Sequence, residues 1–439
     1  MALSQASAQA AATAVTTTTA SATPHLLAHQ ATLGLNSGDT AWMIVATALV
    51  LFMTLPGLAL FYGGMVRKKN VLATLAQSVA VTVIVTVLWI IAGYSLSFGV
   101  GPSPAWNAVL GGFDAVMLKG VTPDTAYSAA PHLPEYLWIA YQMTFAIITP
   151  ALIAGSIAER MKFSAFCLFI ALWSLLVYAP VCHWVWGGGF LAQLGVLDFA
   201  GGSVVHVNSG VAGLVCALVL GKRKGFGRDN MAPHNLGYTM IGASMLLVGW
   251  IGFNAGSEWA ADSLASVAML NTIVATMTGA IGWIIPEWAE RKRPTLLGLV
   301  SGMVVGLVAI TPAAGFVNPT GALFIGLIGG VVCYVASTYV KNMFKYDDSL
   351  DTFGVHGVGG FTGAVLTAVF VDKTINTSAA AASASVLKQL EGLACVIAWS
   401  AAVTFLILMV CKYTTGLRVS EEEEIEGLDT SQHGETLHG

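Results

Sequence analysis

Apolar stretches of about 20 residues follow one another along most of the chain, separated by short polar segments. A helix of that length crosses the hydrocarbon core of a bilayer, whereas the strands of a membrane barrel alternate in polarity over about ten residues. The pattern therefore predicts an all-α polytopic membrane protein with eleven transmembrane helices. The predicted helices cover residues 41–66, 71–99, 135–158, 163–186, 200–220, 236–256, 263–287, 296–312, 320–340, 353–371 and 388–412.

The lysines and arginines indicate how these helices are oriented, because cytoplasmic loops collect basic residues. Sixteen of the nineteen basic residues follow odd-numbered helices, in clusters such as Arg67–Lys69, Lys222–Arg228 and Arg291–Arg293. The loops after even-numbered helices contain only Lys119 and Lys373. We therefore predict that the N-terminus lies outside and the C-terminus lies in the cytoplasm.

The composition excludes a soluble globular domain. Of the 439 residues, 56% are hydrophobic and 10% are charged, against roughly a quarter charged in soluble domains. Such a chain is too apolar to be disordered, and a net charge of -4 without a basic surface argues against nucleic acid as a partner. The six cysteines lack metal-binding spacings such as C-x-x-C, and no nucleophile–base motif is evident. We expect no enzymatic activity, no bound metal and no cofactor.

The two ends of the chain differ in composition from the membrane domain at 39–413. Residues 1–38 are rich in Ala, Ser and Thr and contain no lysine or arginine. This composition predicts a flexible exported N-terminal segment, and it is equally compatible with a signal peptide already removed from the numbering. Residues 414–439 contain four consecutive glutamates among apolar side chains. We expect this cytoplasmic tail to dock on the basic loops at 222–228 and 291–293.

A repeated motif relates the fifth and tenth predicted helices. His206 begins the pattern His-x3-Gly-x2-Gly-x-Val, which ends at Val215, and His356 begins the same pattern, which ends at Val365. The spacing predicts a five-plus-five repeat followed by one further helix, and an odd number of spans per unit makes the repeats inverted. Equivalent residues of such repeats meet near the membrane midplane. We therefore expect the two imidazoles to lie within hydrogen-bonding distance, where a neutral pair can pass a proton.

Aromatic side chains occur where a cation could first be bound. A ring face attracts a cation by about 0.5–2 kcal/mol, and a hydroxyl oxygen can accept its N–H groups. A single ring of this kind is more often part of the core or of the lipid interface. The side chains concerned are Tyr141 and Phe145 on the third helix, Trp186 at the end of the fourth, and Trp250, Phe253 and Ser257 on one face of the sixth.

The predicted spans contain almost no charge that could accompany an ion across the membrane. Glu391 is the clear exception, and it lies on the last helix, outside the repeat. A bare ion is costly in a low dielectric, so a path lined by two histidines favours a substrate that loses its charge. Asp198 stands just before the His206 helix, where an N-cap and a cation-attracting role are both compatible with its position.

These motifs, and the order in which they occur, resemble those of the ammonium transporter (Amt/Mep/Rh) family, and of the bacterial-type Amt branch in particular. The resemblance runs from about residue 40 to the C-terminal tail. The segments that carry it are Trp186-Gly-Gly-Gly, Leu197-Asp198-Phe199-Ala200-Gly-Gly, Val205-His206-Val-Asn208, Trp250-Ile-Gly-Phe253-Asn-Ala-Gly-Ser257 and Phe353-Gly-Val-His356-Gly.

The resemblance implies a homotrimer with one pore in each subunit. Tyr141 departs from the phenylalanine that some members have at its position. The implied site residues are Phe145, Trp186 and Ser257 for external ammonium recruitment, Phe145 and Phe253 for the gate, Trp250 for the pore lining, His206 and His356 for the twin histidines, and Asp198 as a supporting acid.

By the same resemblance, the chain would move ammonium across the inner (plasma) membrane. Ammonium, with methylammonium as an analogue, would be bound, deprotonated near the outer mouth and carried as ammonia, by electrogenic or electroneutral flux. The tail would be regulatory, and a PII-type signalling protein would bind at the cytoplasmic face. There are two alternatives. One is a Rhesus-type channel for a neutral gas, but such channels usually have a twelfth helix and lack the external tryptophan. The other is an ammonium sensor, which would need an added signalling domain, and we expect residues 413–439 to be too few to form one.

Overall fold

Each predicted apolar stretch forms a helix in the computed structural model, which describes residues 31–437. Ten of these helices are long and apolar enough to cross a membrane, and the remaining one, α8, is shorter. The bounds are Ser37–Met65 (α1), Lys68–Phe98 (α2), Glu135–Ile157 (α3), Phe163–Leu194 (α4), Gly202–Leu220 (α5), Leu236–Glu258 (α6), Ser263–Arg291 (α7), Leu296–Ile310 (α8), Pro319–Phe344 (α9), Phe353–Phe370 (α10) and Val386–Thr414 (α11).

Helix α8 contains 15 residues, which corresponds to a length of about 22 Å. It was predicted to reach residue 312 but ends at Ile310. Pro312 lacks the N–H that would continue the helical hydrogen bonds, and tight turns follow, such as Ala313 N–H to Ile310 O at 2.8 Å. The chain therefore has ten helices of spanning length among the described residues and one shorter apolar helix at the eighth predicted position.

Only the end of the predicted N-terminal segment belongs to the described part of the chain, and residues 1–30 lie outside it. Strand β1 (Ala31–Thr32) pairs antiparallel with β2 (Thr125–Ala126). Asn36 then caps α1, because its side-chain oxygen accepts the N–H of Gly38 at 2.9 Å. Three short helical turns lie in the connections, at Pro104–Asn107, Val116–Leu118 and Ala379–Ala382.

Widened, π-helical turns interrupt several of the long helices. Two of them occupy equivalent places at the start of α5 and α10, over Gly202–Val207 and Phe353–Gly357. His206 lies in the first of these turns and His356 lies in the second. Such turns occur frequently at functional sites, because the extra residue changes the direction in which a side chain points.

Glycines allow α5 and α10 to cross in direct contact. A Cβ at Gly210 would collide with the backbone N and Cα of Gly357. A Cβ at Gly360 would lie 2.8 Å from the Cβ of His206. Each glycine stands four residues after the histidine of its own helix and packs against the histidine turn of the other helix. Close approach of backbones through small residues is typical of membrane helices.

The C-terminal residues fold back onto the end of the bundle that carries most of the basic loops, here called the basic end. Two short helices, Glu421–Glu426 (α12) and Leu428–His433 (α13), form there. The Lys224 N–H donates to Glu424 Oε1 at 2.6 Å, and the Ala73 N–H donates to Asp429 Oδ1 at 2.8 Å. The tail thus contacts the predicted loop at 222–228 and, in addition, the start of α2. Within residues 31–437, no hydrogen bond or ion pair joins the tail to the other predicted loop, at 291–293.

A buried ion network crosses the same basic end. Arg223 contacts Glu159 Oε2 at 3.0 Å and Asp347 Oδ1 at 2.8 Å, and Arg67 contacts Glu159 Oε2 at 2.9 Å. Burial alone would raise the pKa of Glu159, but the charges of Arg223 and Arg67 hold this pKa below its usual value. In the same way, burial is outweighed at Asp347, where hydrogen bonds and charge from Arg223 lower the pKa.

Candidate functional site

Two phenylalanines from different helices close the centre of the bundle. Phe145 of α3 and Phe253 of α6 stack with ring centroids 4.3 Å apart and an interplanar angle of 25°. Trp186 meets Phe145 edge-on, with centroids 5.7 Å apart and an angle of 89°. Offset stacking and edge contacts are the favoured geometries of aromatic pairs. Trp186, Phe145 and Phe253 therefore contact one another in a chain.

Phe145, Trp186 and Ser257 line one small cavity. Its free volume is about 10 Å³, and Gln142, Phe199 and Trp259 complete its wall. Trp186, Phe199, Ser257 and Trp259 also line a larger depression of about 650 Å³. We call this depression the vestibule, and it lies at the opposite end of the bundle from the basic end. A small cation entering the vestibule would meet ring faces and one hydroxyl at its floor.

Tyr141 supports Ser257 and the backbone next to Phe253, a role that the sequence analysis missed. Its hydroxyl lies 3.3 Å from Ser257 Oγ and donates to Phe253 O at 2.9 Å. Ser257 Oγ also donates to Phe253 O at 2.8 Å. With its own proton used in this bond, the Ser257 oxygen presents its lone pairs as acceptors. The one-turn spacing of Tyr141 and Phe145 was visible in the sequence, but the partner across the bundle was not.

The Asp198 side chain caps the first turn of α5 from three positions before the N-cap residue, Gly201. Its Oδ1 accepts the N–H groups of Gly201 at 2.8 Å and Gly202 at 2.6 Å. Its Oδ2 accepts the N–H groups of Ser203 at 2.8 Å and Val204 at 3.1 Å, together with the Ser203 hydroxyl. The Asp198 carbonyl oxygen accepts the Trp186 indole N–H at 3.0 Å. The sequence left two roles open for Asp198, helix capping and attraction of a cation. The hydrogen bonds to its carboxylate are those of a helix cap, and its carbonyl oxygen also holds the Trp186 indole in place.

His206 and His356 meet beneath the stacked phenylalanines. Their Nδ1 atoms lie 3.3 Å apart and the side chains are buried. One Nδ1 must carry a proton and the other must accept it, so the two rings have opposite tautomers when both are neutral. Within the described part of the chain, His206 Nε2 has no hydrogen-bond partner. The spacing of the two repeated motifs thus predicted this contact correctly.

Trp250 sets the orientation of the His206 ring. The two rings are nearly parallel, with centroids 5.3 Å apart and an angle of 18°. The Trp250 indole N–H donates to Thr311 Oγ1 at 2.9 Å, which anchors the ring to the turn after α8. Thr311 was not singled out from the sequence, because its partner lies 61 positions away along the chain.

The space around the histidine pair is narrow and otherwise apolar. The cavity has a free volume of about 10 Å³ and is lined, besides the two histidines, by Phe61, Trp250, Phe253 and non-aromatic apolar side chains. A cavity needs about 10–15 Å³ of such volume to hold one water molecule. A wider cavity of about 380 Å³ continues from His356 towards the basic end, past Tyr62 and Glu287. Within residues 31–437, no group of three or more His, Cys, Asp or Glu side chains could hold a metal ion.

Comparison with known proteins gives a consistent assignment. Residues 41–438 match the model of the Ammonium Transporter Family. The chain is 50% identical over 410 residues to an ammonium transporter of Aquifex aeolicus, covering 92% of this chain and 94% of the relative. It is 48% identical over 412 residues to an ammonium transporter of Bacillus subtilis, covering 92% and 99% of the two chains.

Solved structures agree with this assignment. The crystal structure of Saccharomyces cerevisiae Mep2 has a TM-score of 0.80 at 34% identity and covers 89% of each chain. A structure described as a sensor Amt protein has a TM-score of 0.83 at 28% identity, covering 90% of this chain and 98% of that one. A family match over nearly the whole length, together with relatives at half identity, leads to one conclusion: this multi-pass membrane protein belongs to the ammonium transporter family.

Proposed function

We propose that this protein carries ammonium across the inner (plasma) membrane through a pore within each subunit. The observation that carries the proposal is the pair of Nδ1 atoms at 3.3 Å in an apolar constriction directly behind the Phe145–Phe253 stack. The membership of the family supports the substrate, because curated relatives are named ammonium transporters.

Recruitment would begin in the small cavity at the vestibule floor. The faces of Phe145 and Trp186 offer cation–π attraction, and Ser257 Oγ accepts an N–H of the ion. Ammonium and methylammonium both combine a compact positive charge with N–H donors, so both fit these groups. Larger cations without N–H groups could not use the serine, and hydrated metal ions would find no carboxylate in this cavity.

Deprotonation would follow as the substrate passes the gate. The stacked rings at 4.3 Å leave no room for ammonium, so one ring must rotate to admit it. Beyond the rings the lining is apolar except for the histidines, and an ion without compensating charge is costly there. Ammonia carries no charge and can hydrogen-bond with an imidazole nitrogen. The released proton could pass over the histidine pair, because each ring accepts on one nitrogen and donates from the other.

The proposed architecture has eleven spans, arranged as two inverted repeats of five and one last helix. Reciprocal glycine contacts support the repeat. Gly213 of α5 packs on Ser156 of α3, and Gly363 of α10 packs on Ala309 of α8. These pairs are equivalent if the third helix corresponds to the eighth. In this arrangement α8 counts as a span. The excess of basic residues in the loops after odd-numbered helices supports an outside N-terminus and a cytoplasmic basic end.

The quaternary arrangement and regulation follow from the family resemblance. We propose a homotrimer in the lipid bilayer, with residues 414–439 as a cytoplasmic regulatory tail and a PII-type signalling protein as a partner at the basic end. The hydrogen bonds from Lys224 and Ala73 to tail carboxylates support a docked tail, because a solvated tail would make none.

A sensor is the second candidate function. It is supported by the likeness to the sensor Amt protein, which this chain covers over 98% of its length. The two functions differ in one observable. In a transporter, the amount of substrate moved increases with time. A sensor without flux changes its conformation when the ligand binds and moves no substrate.

Purified protein in proteoliposomes provides the test. Pulses of ammonium should evoke currents or sustained uptake that saturates, and methylammonium should compete. Protein-free vesicles control for the diffusion of neutral ammonia through lipid. If vesicles with the protein gave the same signals as empty vesicles, and these signals did not depend on ammonium, the transport function would be contradicted and the sensor favoured.

A further inference from the structure

The vestibule contains an acidic side chain, Glu258, that has no role in the recruitment and gating steps proposed so far. Glu258 follows Ser257 directly and lines the vestibule together with Trp186 and Trp259. Its side chain is partly buried, at the junction between the protein and the open depression. Within the described residues, its carboxylate makes neither a hydrogen bond nor an ion pair. A partly buried carboxylate without a partner, one residue from the predicted cation ligand, requires an explanation.

Asp198 cannot supply the same charge to an approaching ion. All five hydrogen bonds to its carboxylate come from residues 201–204, at the N-terminus of α5. Both oxygens therefore point towards backbone N–H groups, and the positive end of the helix dipole compensates their charge. The electric field of Asp198 in the vestibule is therefore weak compared with the field of a carboxylate that has no hydrogen-bond partner.

The other charged groups near the vestibule also have partners. Asp262 Oδ1 caps α7 by accepting the N–H groups of Leu264 at 2.9 Å and Ala265 at 3.0 Å. Asp39 Oδ1 accepts the Ala261 N–H at 2.8 Å, and its Oδ2 lies 3.8 Å from His132 Nε2. Glu258 is therefore the acidic side chain of the vestibule wall whose charge is available to a ligand.

The backbone holds Glu258 in this position through a strained turn. Trp259 has a φ of 62°, in the left-handed region that bulky side chains rarely adopt. Two contacts maintain the turn: His132 Nε2 lies 3.0 Å from Trp259 O, and the Trp259 ring packs against Trp138 with centroids 4.6 Å apart. Strain of this kind persists only where surrounding contacts determine the conformation. The turn directs residue 258 to the vestibule wall next to Ser257.

We infer that Glu258 is an affinity-determining residue, which concentrates ammonium in the vestibule and stabilises it next to Trp186 and Ser257 before the gate. This inference rests on the proposed transport function. Walls of low dielectric focus the field of a carboxylate into a depression and raise the local concentration of cations. The substrate loses its positive charge beyond the gate, so the carboxylate favours capture of ammonium without holding back ammonia.

The test compares Glu258→Gln with the wild type in ammonium-evoked current and uptake, using the full chain in proteoliposomes. We expect the half-saturating ammonium concentration to rise about threefold to tenfold at low ionic strength, with a maximal rate within about twofold of the wild type. The increase should shrink at about 0.15 M salt, where the Debye length is about 8 Å. Glu258→Asp, which keeps the charge, should restore most of the affinity.

Asp124→Asn is the matched control, because Asp124 is exposed near the same end of the bundle and outside the vestibule wall. It removes the same charge and should leave the half-saturating concentration unchanged. An unchanged concentration in Glu258→Gln, or an equal increase in Asp124→Asn, would overturn the inference. A loss of maximal rate in both Glu258→Gln and Glu258→Asp without a change in half-saturation would also overturn it. If the wild type itself gives no ammonium-dependent signal, it is the transport function that fails.

Discussion

Gly360 of α10 packs directly on His206 of α5, so that a Cβ at residue 360 would lie 2.8 Å from the His206 Cβ. The same Cβ would lie 2.7 Å from Gly202 O. Real Cβ atoms are not found so close to backbone or to another Cβ, because the repulsion is steep. The contact between the two histidines therefore depends on a residue without a side chain on the opposite helix.

Gly360→Ala should separate α5 and α10 and lengthen the distance between the two Nδ1 atoms. Overpacking of this kind costs about 1–3 kcal/mol. We expect a lower thermal midpoint in detergent and a reduced ammonium flux. Gly63→Ala is the control, because a Cβ at Gly63 would meet only the Leu75 and Val71 side chains, at 3.4 Å or more. A Gly360→Ala protein with wild-type midpoint and flux would show that α5 and α10 pack less tightly at their crossing than these contacts indicate.

His356→Ala should change flux or ion discrimination while the fold is kept. The variant removes the partner of His206 Nδ1 and widens the constriction, so ions that keep their charge could enter. Currents with ammonium and with potassium measure both effects. Thr362→Val on the same helix serves as the control, since the Thr362 hydroxyl donates only to Val358 O at 2.8 Å. Unchanged transport and unchanged ion discrimination in His356→Ala would exclude a role for the pair in proton handling.

Trp186→Ala should weaken the capture of ammonium by an amount consistent with a lost cation–π contact, roughly 0.5–2 kcal/mol, or about twofold to thirtyfold in affinity. The half-saturating concentration in uptake assays measures this loss, and methylammonium should show the same trend. Trp288→Ala is the comparison variant, because Trp288 is exposed near the basic end of α7. An effect of similar size in both variants would remove Trp186 from the capture site.

The ion network at the basic end should make stability depend on acid pH. Glu159 and Asp347 have folded-state pKa values below their usual ones, so both carboxylates bind protons more weakly in the folded chain than in the unfolded chain. Their contribution to stability is complete above the unfolded values, about 4, and is lost as the pH falls through the lower folded values. Thermal midpoints measured between about pH 3 and pH 7 should decrease below about pH 4.

Glu159→Gln tests the assignment of this pH dependence. The substitution leaves Arg67 without its ionic partner and Arg223 with Asp347 alone, and breaking a buried pair costs about 3–5 kcal/mol. The variant should therefore unfold at a lower temperature at pH 7, and its midpoint should change less on acidification. A variant with the full acid dependence of the wild type would place the titrating groups elsewhere.

Deletion of residues 418–439 should lower flux or abolish its regulation while the trimer still assembles. The deletion removes the contacts of Glu424 with Lys224 and of Asp429 with Ala73. Uptake assays and the response to a PII-type protein measure the two effects, and size-exclusion analysis measures assembly. As a control, Glu421→Ala removes an exposed ion pair with Lys224, which is worth about 0–1 kcal/mol, and should change little. A truncated protein with wild-type flux and an unaltered response would exclude the coupling role.

Patterns along the chain were sufficient to predict the helices and the contact between the two histidines. The length of an apolar run is a local property that the bilayer thickness requires, so every predicted stretch forms a helix and the errors are confined to ends such as residues 310–312. The contact between His206 and His356 could be predicted because a repeated motif encodes it twice along the chain.

The side chains that meet across the bundle could not be predicted, because their contacts depend on how the helices pack in three dimensions. Tyr141 reaches Ser257 over 116 positions, and Phe145 of α3 stacks on Phe253 of α6. The tertiary structure also decided what charges do: Asp198 caps a helix, whereas Glu258 is left without a partner on the vestibule wall. Helix periodicity predicts the face of the helix on which a residue lies, but not the helix against which that face packs. Close packing of glycine-lined helices makes that choice, and it depends on the whole chain.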